Sequence, residues 1–350
     1  MFEHFEKAKD WHEDGQALAI ATVIHTWGSS PRPVGSQMVI GSEGGIVGSV
    51  SGGCVEGAVV EAACQVIEDG RPRKLHFGVE DEQAWEVGLA CGGEIDVFIH
   101  PLDGEAIKGW ESAQRKSEAL CSVLVIEGPD PFVGYECLVL ESGERIGDPL
   151  GEDWDAQIVE SAQQAIQATS SCTARIQAPD PGRESLTCFF HVILPRPTLV
   201  AVGGVHIAIP LMSLAKMLHY RTVVIDPRRL FATRDRFPEV DVLLQSWPTK
   251  AFEEVGIDDR TAIAMLTHDP KIDDPALKIA LRSEAFYVGA LGSEKTHAKR
   301  RRRLEAMGIQ PELIDRLRAP IGLDIGGRSP EEIALSVMAE VVQVRHRSKG

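Results

Sequence analysis

The chain has 350 residues, of which 43% are hydrophobic and 25% charged, and its formal net charge is −16. This length exceeds what one hydrophobic core usually serves and predicts two or three domains. The charge disfavours nucleic acid and anionic membrane as partners, and neither a signal peptide nor a bilayer-spanning run of roughly 20 apolar residues is present.

The N-terminal half contains an internal repeat with an offset of 99 residues. An amphipathic helix is predicted over the first 15 residues, and from Gly35 onward several glycines recur in register, beginning with Gly134. Both copies predict strand, loop, strand, turn, strand, loop and helix. We interpret this pattern as a duplication, with a first repeat at 1–102 and a degenerate second repeat at 103–194.

The two copies differ in the loop before their helix. The first has Ser-Gly-Gly-Cys at 51–54, and the second has Leu-Gly-Glu-Asp at 150–153. Because one scaffold accepts both loops, the glycines and the thiol of the first favour a ligand. A helix start attracts anions and lowers the pKa of a nearby thiol, so Cys54 is expected to be thiolate-like. A tight turn with a small buried cysteine is the alternative.

Seven cysteines, an odd number, and no export signal favour free thiols in the cytoplasm, and no pattern with zinc-site spacing occurs. Cys91 precedes Gly92 and Gly93, so it is a second glycine-flanked thiol. With Cys54 it suggests a pair of soft ligands that bind a metal or carry sulfur. Apolar, periodic surroundings predict that three others lie in the core: Cys64, Cys121 and Cys137.

Two prolines within 194–197 indicate an interdomain connection, and the chain after it alternates strand and helix. We predict a helix at 208–218 and a doubly wound parallel sheet over 198–350. Its expected strands are 198–202, 222–225, 240–244, 262–266 and 286–288.

The first strand of this sheet leads into an imperfect dinucleotide-binding turn. Gly203 and Gly204 are correctly placed, but Val205 stands where a glycine normally lets the backbone approach a pyrophosphate. Asp226 ends the second strand, where a ribose-binding acid belongs. An NAD(P)-dependent oxidoreductase is therefore the alternative function, with His268 as its one obvious proton-transfer residue, and NAD(P) itself is not expected to bind.

Polar groups that follow the strands are expected to meet at the carboxyl edge of the sheet. Ser293 is predicted to cap a helix over 294–307 that carries six cations. These positive charges are balanced either by the protein's own acidic side chains or by an anion or an acidic partner. Ser329 and Glu332 match a capping box.

These segments together resemble the xanthine dehydrogenase accessory factor family (XdhC/CoxI). The matching stretches are 28–40, 45–59, 89–97, 203–211, 223–228, 236–241, 287–293 and 319–340. The resemblance implies an N-terminal XdhC-type α/β domain, here duplicated internally, followed by a C-terminal Rossmann-like doubly wound parallel sheet. The family usually has glycine at Val205 and alanine at Gly204, so contact of a nucleotide-like group with this turn is in question.

The resemblance also implies a chaperone rather than a stand-alone enzyme. It would bind molybdenum cofactor (Mo-molybdopterin) and support its sulfuration and insertion into the apo-enzyme of a xanthine dehydrogenase-type molybdenum hydroxylase. A cysteine desulfurase as sulfur donor and a homodimer are further expectations. A scaffold that only docks a molybdoenzyme, with incidental cysteines, is a third interpretation.

Cys54 and Cys91 are the predicted catalytic and molybdenum-contacting residues. The residues predicted to bind the cofactor are Ser29, Ser30, Gln37, Ser51, Gly52, Gly53, Gly92, Gly93, Gly203, Gly204, His206, Asp226, Arg228, His268, Gly292 and Ser293.

Overall fold

The computed structural model describes residues 2–30, 32–78, 93–177 and 184–347. The chain divides into two compact units, Met1–Pro195 and Arg196–Gly350. Among the described residues, no helix is long and apolar enough to cross a membrane.

The first half of the N-terminal unit is a five-stranded antiparallel sheet with two helices. In chain order its elements are α1 (Phe2–Glu13), β1 (Leu18–Trp27), β2 (Gln37–Gly41), β3 (Ile46–Gly48), α2 (Glu56–Asp69), β4 (Arg73–Phe77) and β5 (Glu94–Leu102). The strand order across the sheet is β3-β2-β1-β5-β4. Phe5 and Ala8 of α1 are buried, as its amphipathic pattern predicts.

The second half of this unit repeats the same arrangement. Its elements are α3 (Gly104–Lys116), β6 (Leu120–Glu127), β7 (Glu136–Leu140), β8 (Arg145–Ile146), α4 (Glu152–Gln167), β9 (Cys172–Ile176) and β10 (Leu186–Ile193). The strand order is β8-β7-β6-β10-β9, so each strand has the same neighbours as its counterpart in the first half. The connectivity agrees with the duplication that the glycine register indicates.

Each repeat packs its second helix against its own sheet, and the two repeats share a further core. Apolar residues of α2 pack on the first sheet, and those of α4 pack on the second. The shared core joins α1, α3 and residues of both sheets, with the rings of Phe5 and Trp110 3.7 Å apart between centroids. Because Trp110 is fully enclosed, its replacement by alanine would cost roughly 3–5 kcal/mol.

The C-terminal unit is the predicted Rossmann-like, doubly wound parallel sheet. Its strands are β11 (Thr198–Val202), β12 (Arg221–Ile225), β13 (Val242–Leu244), β14 (Thr261–Met265), β15 (Tyr287–Ala290) and β16 (Leu317–Arg318), in the order β13-β12-β11-β14-β15-β16. Its helices are α5 (Ala208–Met217), α6 (Pro248–Val255), α7 (Pro270–Ala280), α8 (Glu294–Ala306), α9 (Pro311–Ile314) and α10 (Pro330–Arg347). Apolar clusters cover both faces of the sheet, which explains why β11 and β14 are buried throughout their length.

Side-chain caps fix several helix starts. The carboxylate of Asp103 accepts from the amide of Ala106 at 2.8 Å at the start of α3. Ser293 caps α8 as predicted. The amide of Ser329 donates to Glu332 at 3.0 Å, and the amide of Glu332 donates to the hydroxyl of Ser329 at 3.2 Å, so the capping box of α10 is confirmed.

Candidate functional site

Two connections of the first repeat and the start of β5 lie at one end of its sheet. Because neighbouring strands are antiparallel, the end of β1, the start of β2, the end of β3 and the start of β5 share this end. Segments 28–36 and 49–55 therefore lie at the same end as Gly93. A Cβ at Gly93 would stand 2.6 Å from the carbonyl oxygen of Ser29 and 2.8 Å from that of Trp27. The structure thus brings together Ser29 and Gly93 of the predicted site.

Two glycines turn the chain from β3 into α2. Gly52 has a φ of +81° and Gly53 a φ of +125°, a region that favours glycine. A Cβ at either position would meet no atom of the described chain within 4 Å. Backbone conformation rather than crowding therefore requires these glycines. Cys54 follows them half-buried, at the edge of the core beneath α2.

The amides of this turn donate to the carboxylate of Glu56. Its Oε1 accepts from the amides of Ser51 at 3.0 Å and Gly52 at 2.9 Å, and its Oε2 accepts from the amide of Gly53 at 2.8 Å. The hydroxyls of Ser49 and Ser51 donate to the same carboxylate. Burial raises the pKa of Glu56, but hydrogen bonds from Ser51 and Ser49 outweigh it and lower the pKa to about 2.

This carboxylate changes what the turn offers to a ligand. The glycine pattern predicts that residues 51–53 present free amides to an anion, but these amides already have an anionic acceptor. The described ion pairs give Glu56 no cationic partner, so a net negative charge stands at the start of α2. The turn therefore suits a soft or neutral ligand group better than a phosphate. One sequence signal could have revealed Glu56: an acidic residue, Asp155, stands at the equivalent position of the second repeat.

The described thiols differ in burial. Cys121 and Cys137 are buried as predicted, whereas the prediction for Cys64 is wrong. The side chain of Cys64 is exposed because α2 directs its neighbours Ala62 and Ala63 to the sheet instead.

Cys54 is the described thiol at the sheet end where the loops meet. Cys91 and Gly92 lie outside the described residues, so their predicted roles stay predictions. Among the residues that the structure describes, no three His, Cys, Asp or Glu side chains are grouped to hold a metal ion. A soft ligand at this end would therefore meet a single described thiol.

The other predicted site residues of the first repeat differ in exposure and in hydrogen bonding. Ser29 is exposed, while the hydroxyl of Ser30 donates to the carbonyl of Arg32 at 2.8 Å. Gln37 is only 5% exposed, and its Nε2 donates to the hydroxyl of Thr22 at 3.2 Å. Gln37 thus belongs to the interior of the sheet rather than to its open end.

Trp27 lies at this end and was missed from the sequence. Its side chain is 62% exposed, at the end of a strand that is buried from Leu18 to Ile24. A strand of alternating or continuous apolar residues gives no warning that its last aromatic ring faces solvent. The ring offers a flat apolar surface, and the backbone carbonyl of the same residue lies close to Gly93.

In the C-terminal unit, the glycine turn after β11 is closely packed. Gly203 has a φ of +111°, and a Cβ there would stand 2.6 Å from the Thr267 side chain. A Cβ at Gly204 would stand 2.3 Å from the carbonyl oxygen of Phe231. The alanine that the family resemblance expects at Gly204 would therefore require the backbone at Phe231 to shift.

Asp226 supports this turn from within. Its carboxylate is wholly buried and accepts from the amide of Gly204 at 2.8 Å. Arg228 forms a two-point ion pair with it, at 2.9 Å from Nε and 2.7 Å from Nη2. Burial raises the pKa of Asp226, but the bonds from Arg228 and Gly204 lower it overall. Both carboxylate oxygens are thus engaged, which counts against the ribose contact of the oxidoreductase alternative.

The remaining predicted residues line the carboxyl edge separately. The side chains of His206 and His268 are exposed. Gly292, with a φ of +137°, packs against the first turn of α8, where a Cβ would be 3.1 Å from the Thr296 side chain. Ser293 is used as the helix cap. These residues offer surface positions rather than a formed pocket.

Three of the six cations on the basic helix α8 are paired with acids of its own unit. Arg300 is 1% exposed, donates to the carbonyl of Leu291 at 2.9 Å and lies 3.5 Å from Asp273. The other pairs are Arg301 with Asp315 and Arg303 with Asp274, both at 2.6 Å. The protein's own acids are therefore the counterpart for three of the four arginines. Arg302, Lys295 and Lys299 remain exposed.

Two family models match the chain. The model described as the XdhC and CoxI family matches residues 11–78, and the model described as the XdhC Rossmann domain matches residues 199–341. The first match includes the segments 28–36 and 49–55. The second includes the parallel sheet and most of its helices.

Relatives of known name match nearly the whole chain. A Bacillus subtilis protein, named as a probable xanthine dehydrogenase subunit, is 28% identical over 96% of this chain and 95% of its own length. The protein named "Molybdenum cofactor insertion chaperone PaoD" of Escherichia coli is 27% identical, over 95% of this chain and 84% of its own. A crystal structure described as a xanthine dehydrogenase from Bacillus halodurans has a TM-score of 0.77 at 24% identity, covering 98% of this chain and 96% of that one. That last likeness concerns the fold alone.

Proposed function

The chain belongs to the XdhC and CoxI family, and we propose that it binds molybdenum cofactor as cargo and delivers it to a xanthine dehydrogenase-type molybdenum hydroxylase. One observation carries this proposal: the match to a molybdenum cofactor insertion chaperone extends over 95% of this chain. Support for sulfuration of the cargo, with a cysteine desulfurase as donor, belongs to the same proposal, as does a homodimeric state.

The open end of the first sheet supports a role for Cys54 in cargo binding. Molybdenum in this cofactor is bound through sulfur and accepts soft ligands, and thiolate is the soft side chain that proteins offer. Cys54 is half-buried, and no described atom lies within 4 Å of a Cβ placed on either glycine before it. The exposed ring of Trp27 lies at the same end. These features suit a metal-dithiolene group approaching from solvent.

The phosphate end of the cargo needs a different place. The amides of residues 51–53 are engaged by Glu56, so a phosphate there would meet like charge. In the C-terminal unit the start of α8 presents the exposed side chain of Lys295 beside Ser293. A helix start with a nearby cation is a suitable contact for a phosphate group within this unit.

A reconstitution assay tests the proposal. The purified protein is loaded with molybdenum cofactor and mixed with an apo-hydroxylase, and the recovered hydroxylase activity is measured. We expect Cys54→Ala to lower the recovered activity at least tenfold and the matched control Cys64→Ala, an exposed thiol on the helix that follows, to stay within twofold. Failure of the wild type to raise activity above cofactor alone would refute the delivery function. Full activity of Cys54→Ala would refute the thiol's role.

A further inference from the structure

An open cavity of about 340 Å³ lies between the two repeats of the N-terminal unit. Gly70 and Pro72, just after α2, form one wall, His100 lies on β5, and Glu136 of the second repeat faces them. Because α2 has 14 residues, this end is about 20 Å along the helix from Cys54. The cavity is therefore separate from the sheet end that we assign to the cargo metal.

A buried imidazole presents an acceptor to this cavity. His100 is 2% exposed, and its Nδ1 lies 3.0 Å from the carbonyl oxygen of Pro101, an acceptor that requires the proton on Nδ1. Burial lowers the pKa of His100 to about 4, so the ring is neutral at pH 7. None of the described residues bonds to its Nε2. The lone pair of Nε2 is thus left for a donor in the cavity.

Glu136 is a second acceptor in the same cavity. The hydroxyl of Ser122 donates to its Oε1 at 2.5 Å, and no other described residue donates to the carboxylate. Burial raises its pKa to about 7, and the negative charge of Asp103 contributes. At pH 8 the group is therefore mostly an ionised carboxylate with a free oxygen.

The surrounding charges disfavour an anionic occupant. Asp103, Glu105 and Asp148 also line the cavity, together with the phenol of Tyr135, and the described lining contains neither lysine nor arginine. Arg145 on β8 is engaged by Asp155 at 3.4 Å and by carbonyl groups of its own turn. An occupant that donates hydrogen bonds or carries positive charge is favoured.

The fold itself does not demand a carboxyl group at this position. Gln37 is the counterpart of Glu136 in the first repeat, and His191 is the counterpart of His100 on the equivalent strand. At that counterpart, a Cβ on Gly35 would stand 2.6 Å from Nε2 of His191. The equivalent position of the first sheet therefore accepts an amide, and the cost of burying Glu136 is better explained by a ligand.

We propose that this cavity binds a small molecule whose edge carries adjacent N–H donors, as an amidinium group or a 2-amino-4-oxopyrimidine ring does. Glu136 would accept two parallel N–H bonds, and Nε2 of His100 would accept a third. The volume lies in the lower range of small-molecule sites, which suits one or two rings. This is a second site beyond the proposed cargo thiol.

Calorimetric titration of the full chain at pH 8 tests the site with three probes: benzamidine, a cationic amidine; pterin, a neutral 2-amino-4-oxo ring; and inorganic phosphate. We expect at least one donor probe to bind and phosphate not to bind. Glu136→Gln should weaken donor binding at least tenfold, whereas the matched control Glu105→Gln, an exposed carboxylate at the rim, should change it less than threefold.

The titration of wild type gives a second measurement that does not depend on a variant. Benzamidine affinity should rise at least fivefold from pH 6 to pH 8, because Glu136 ionises across this range. Binding of pterin alone assigns the site to neutral amino-heterocycles, including the ring of the proposed cargo, and binding of benzamidine alone assigns it to cations. Absence of binding by both probes, or unchanged affinity in Glu136→Gln, would overturn the proposal, whatever the reconstitution assay shows.

Discussion

The two repeats of the N-terminal unit share one strand order but organise the loop before their second helix differently. In the first, Glu56 accepts three amides and two hydroxyls. In the second, Asp155 accepts the amides of Leu150 at 3.2 Å and Gly151 at 3.3 Å and pairs with Arg145. Both repeats therefore use a carboxylate from the first turn of the helix to hold the loop.

This comparison separates the features that hold the loop from the features that act. The carboxylate occurs in both copies, so it belongs to the scaffold. Gly53 and Cys54 occur in the first copy alone, where Glu152 and Asp153 stand in the second. The charge of Asp155 is compensated by Arg145, whereas the described contacts of Glu56 are all neutral donors. This difference supports the proposal that the first loop is the functional one.

The largest expected effect comes from removing the two carboxylates. Glu56→Ala should lower the free energy of unfolding by about 3 kcal/mol, because charged acceptors contribute roughly 1.5–3 kcal/mol per well-formed bond and their sum is reduced by exposure. Asp155→Ala should cost about 1 kcal/mol, since its amide bonds are longer. Urea unfolding measures both. Equal losses would show that the two loops are held alike.

Acid titration provides the control for this pair. The folded-state pKa of Glu56 is lowered to about 2 from an ordinary 4.5, so its contribution is full above pH 4.5 and is lost as the pH falls towards 2. The difference between wild type and Glu56→Ala should therefore shrink across that window. A difference that stays constant from about pH 5 to about pH 2.5 would mean that the lost bonds are not those of an ionised carboxylate.

Exchanging the counterparts Gln37 and Glu136, each the first residue of the second strand of its repeat, sharpens the comparison. Gln37→Glu places a carboxylate at a 5% exposed position and should cost about 2 kcal/mol at pH 8. Glu136→Gln should stabilise by about 1 kcal/mol at pH 8.

The sign of the second change follows from the pKa. The pKa of Glu136 is raised to about 7, so the folded state loses stability as the pH rises from 4.5 through 7. The stabilisation by Glu136→Gln should therefore fade at pH 5, as thermal unfolding at the two pH values would show. If the difference in stability between Glu136→Gln and wild type were the same at both pH values, the burial of an ionisable group would be contradicted.

The smallest expected effect concerns the order in which the thiols are labelled under native conditions. Iodoacetamide at pH 7.5 should modify Cys54 and Cys64 well before Cys137 and Cys188, because burial raises the pKa of these two to about 11 and about 12. Peptide mass spectrometry after timed quenching measures the order. Early labelling of Cys137 would mean that the second repeat opens more readily than its packing implies.

Much of the fold could be predicted from the sequence because local patterns decide it. The glycine register indicates the repeat, apolar runs indicate the parallel strands, and Ser329 with Glu332 marks the last helix. Strand β16 escaped notice because two residues carry no periodicity.

The candidate site was less predictable because its contacts join side chains to distant backbone. A sequence shows Glu56 as an ordinary helix residue, although it holds the loop before it. The basic run 299–303 suggests a solvated face, yet the helical period directs Arg300 and Leu304 together into the interior. The strand pattern correctly places Asp226 at the end of β12. Its ion pair with Arg228, however, depends on the fold of the following turn.

Molybdenum retention tests the central claim most directly, namely that the open end of the first repeat binds the cargo through Cys54. The wild type, Cys54→Ala and Cys64→Ala are loaded with molybdenum cofactor, passed through gel filtration, and analysed for molybdenum per chain. We expect Cys54→Ala to retain less than a tenth of the wild-type molybdenum and Cys64→Ala to retain it fully. Equal molybdenum in all three proteins would contradict the account.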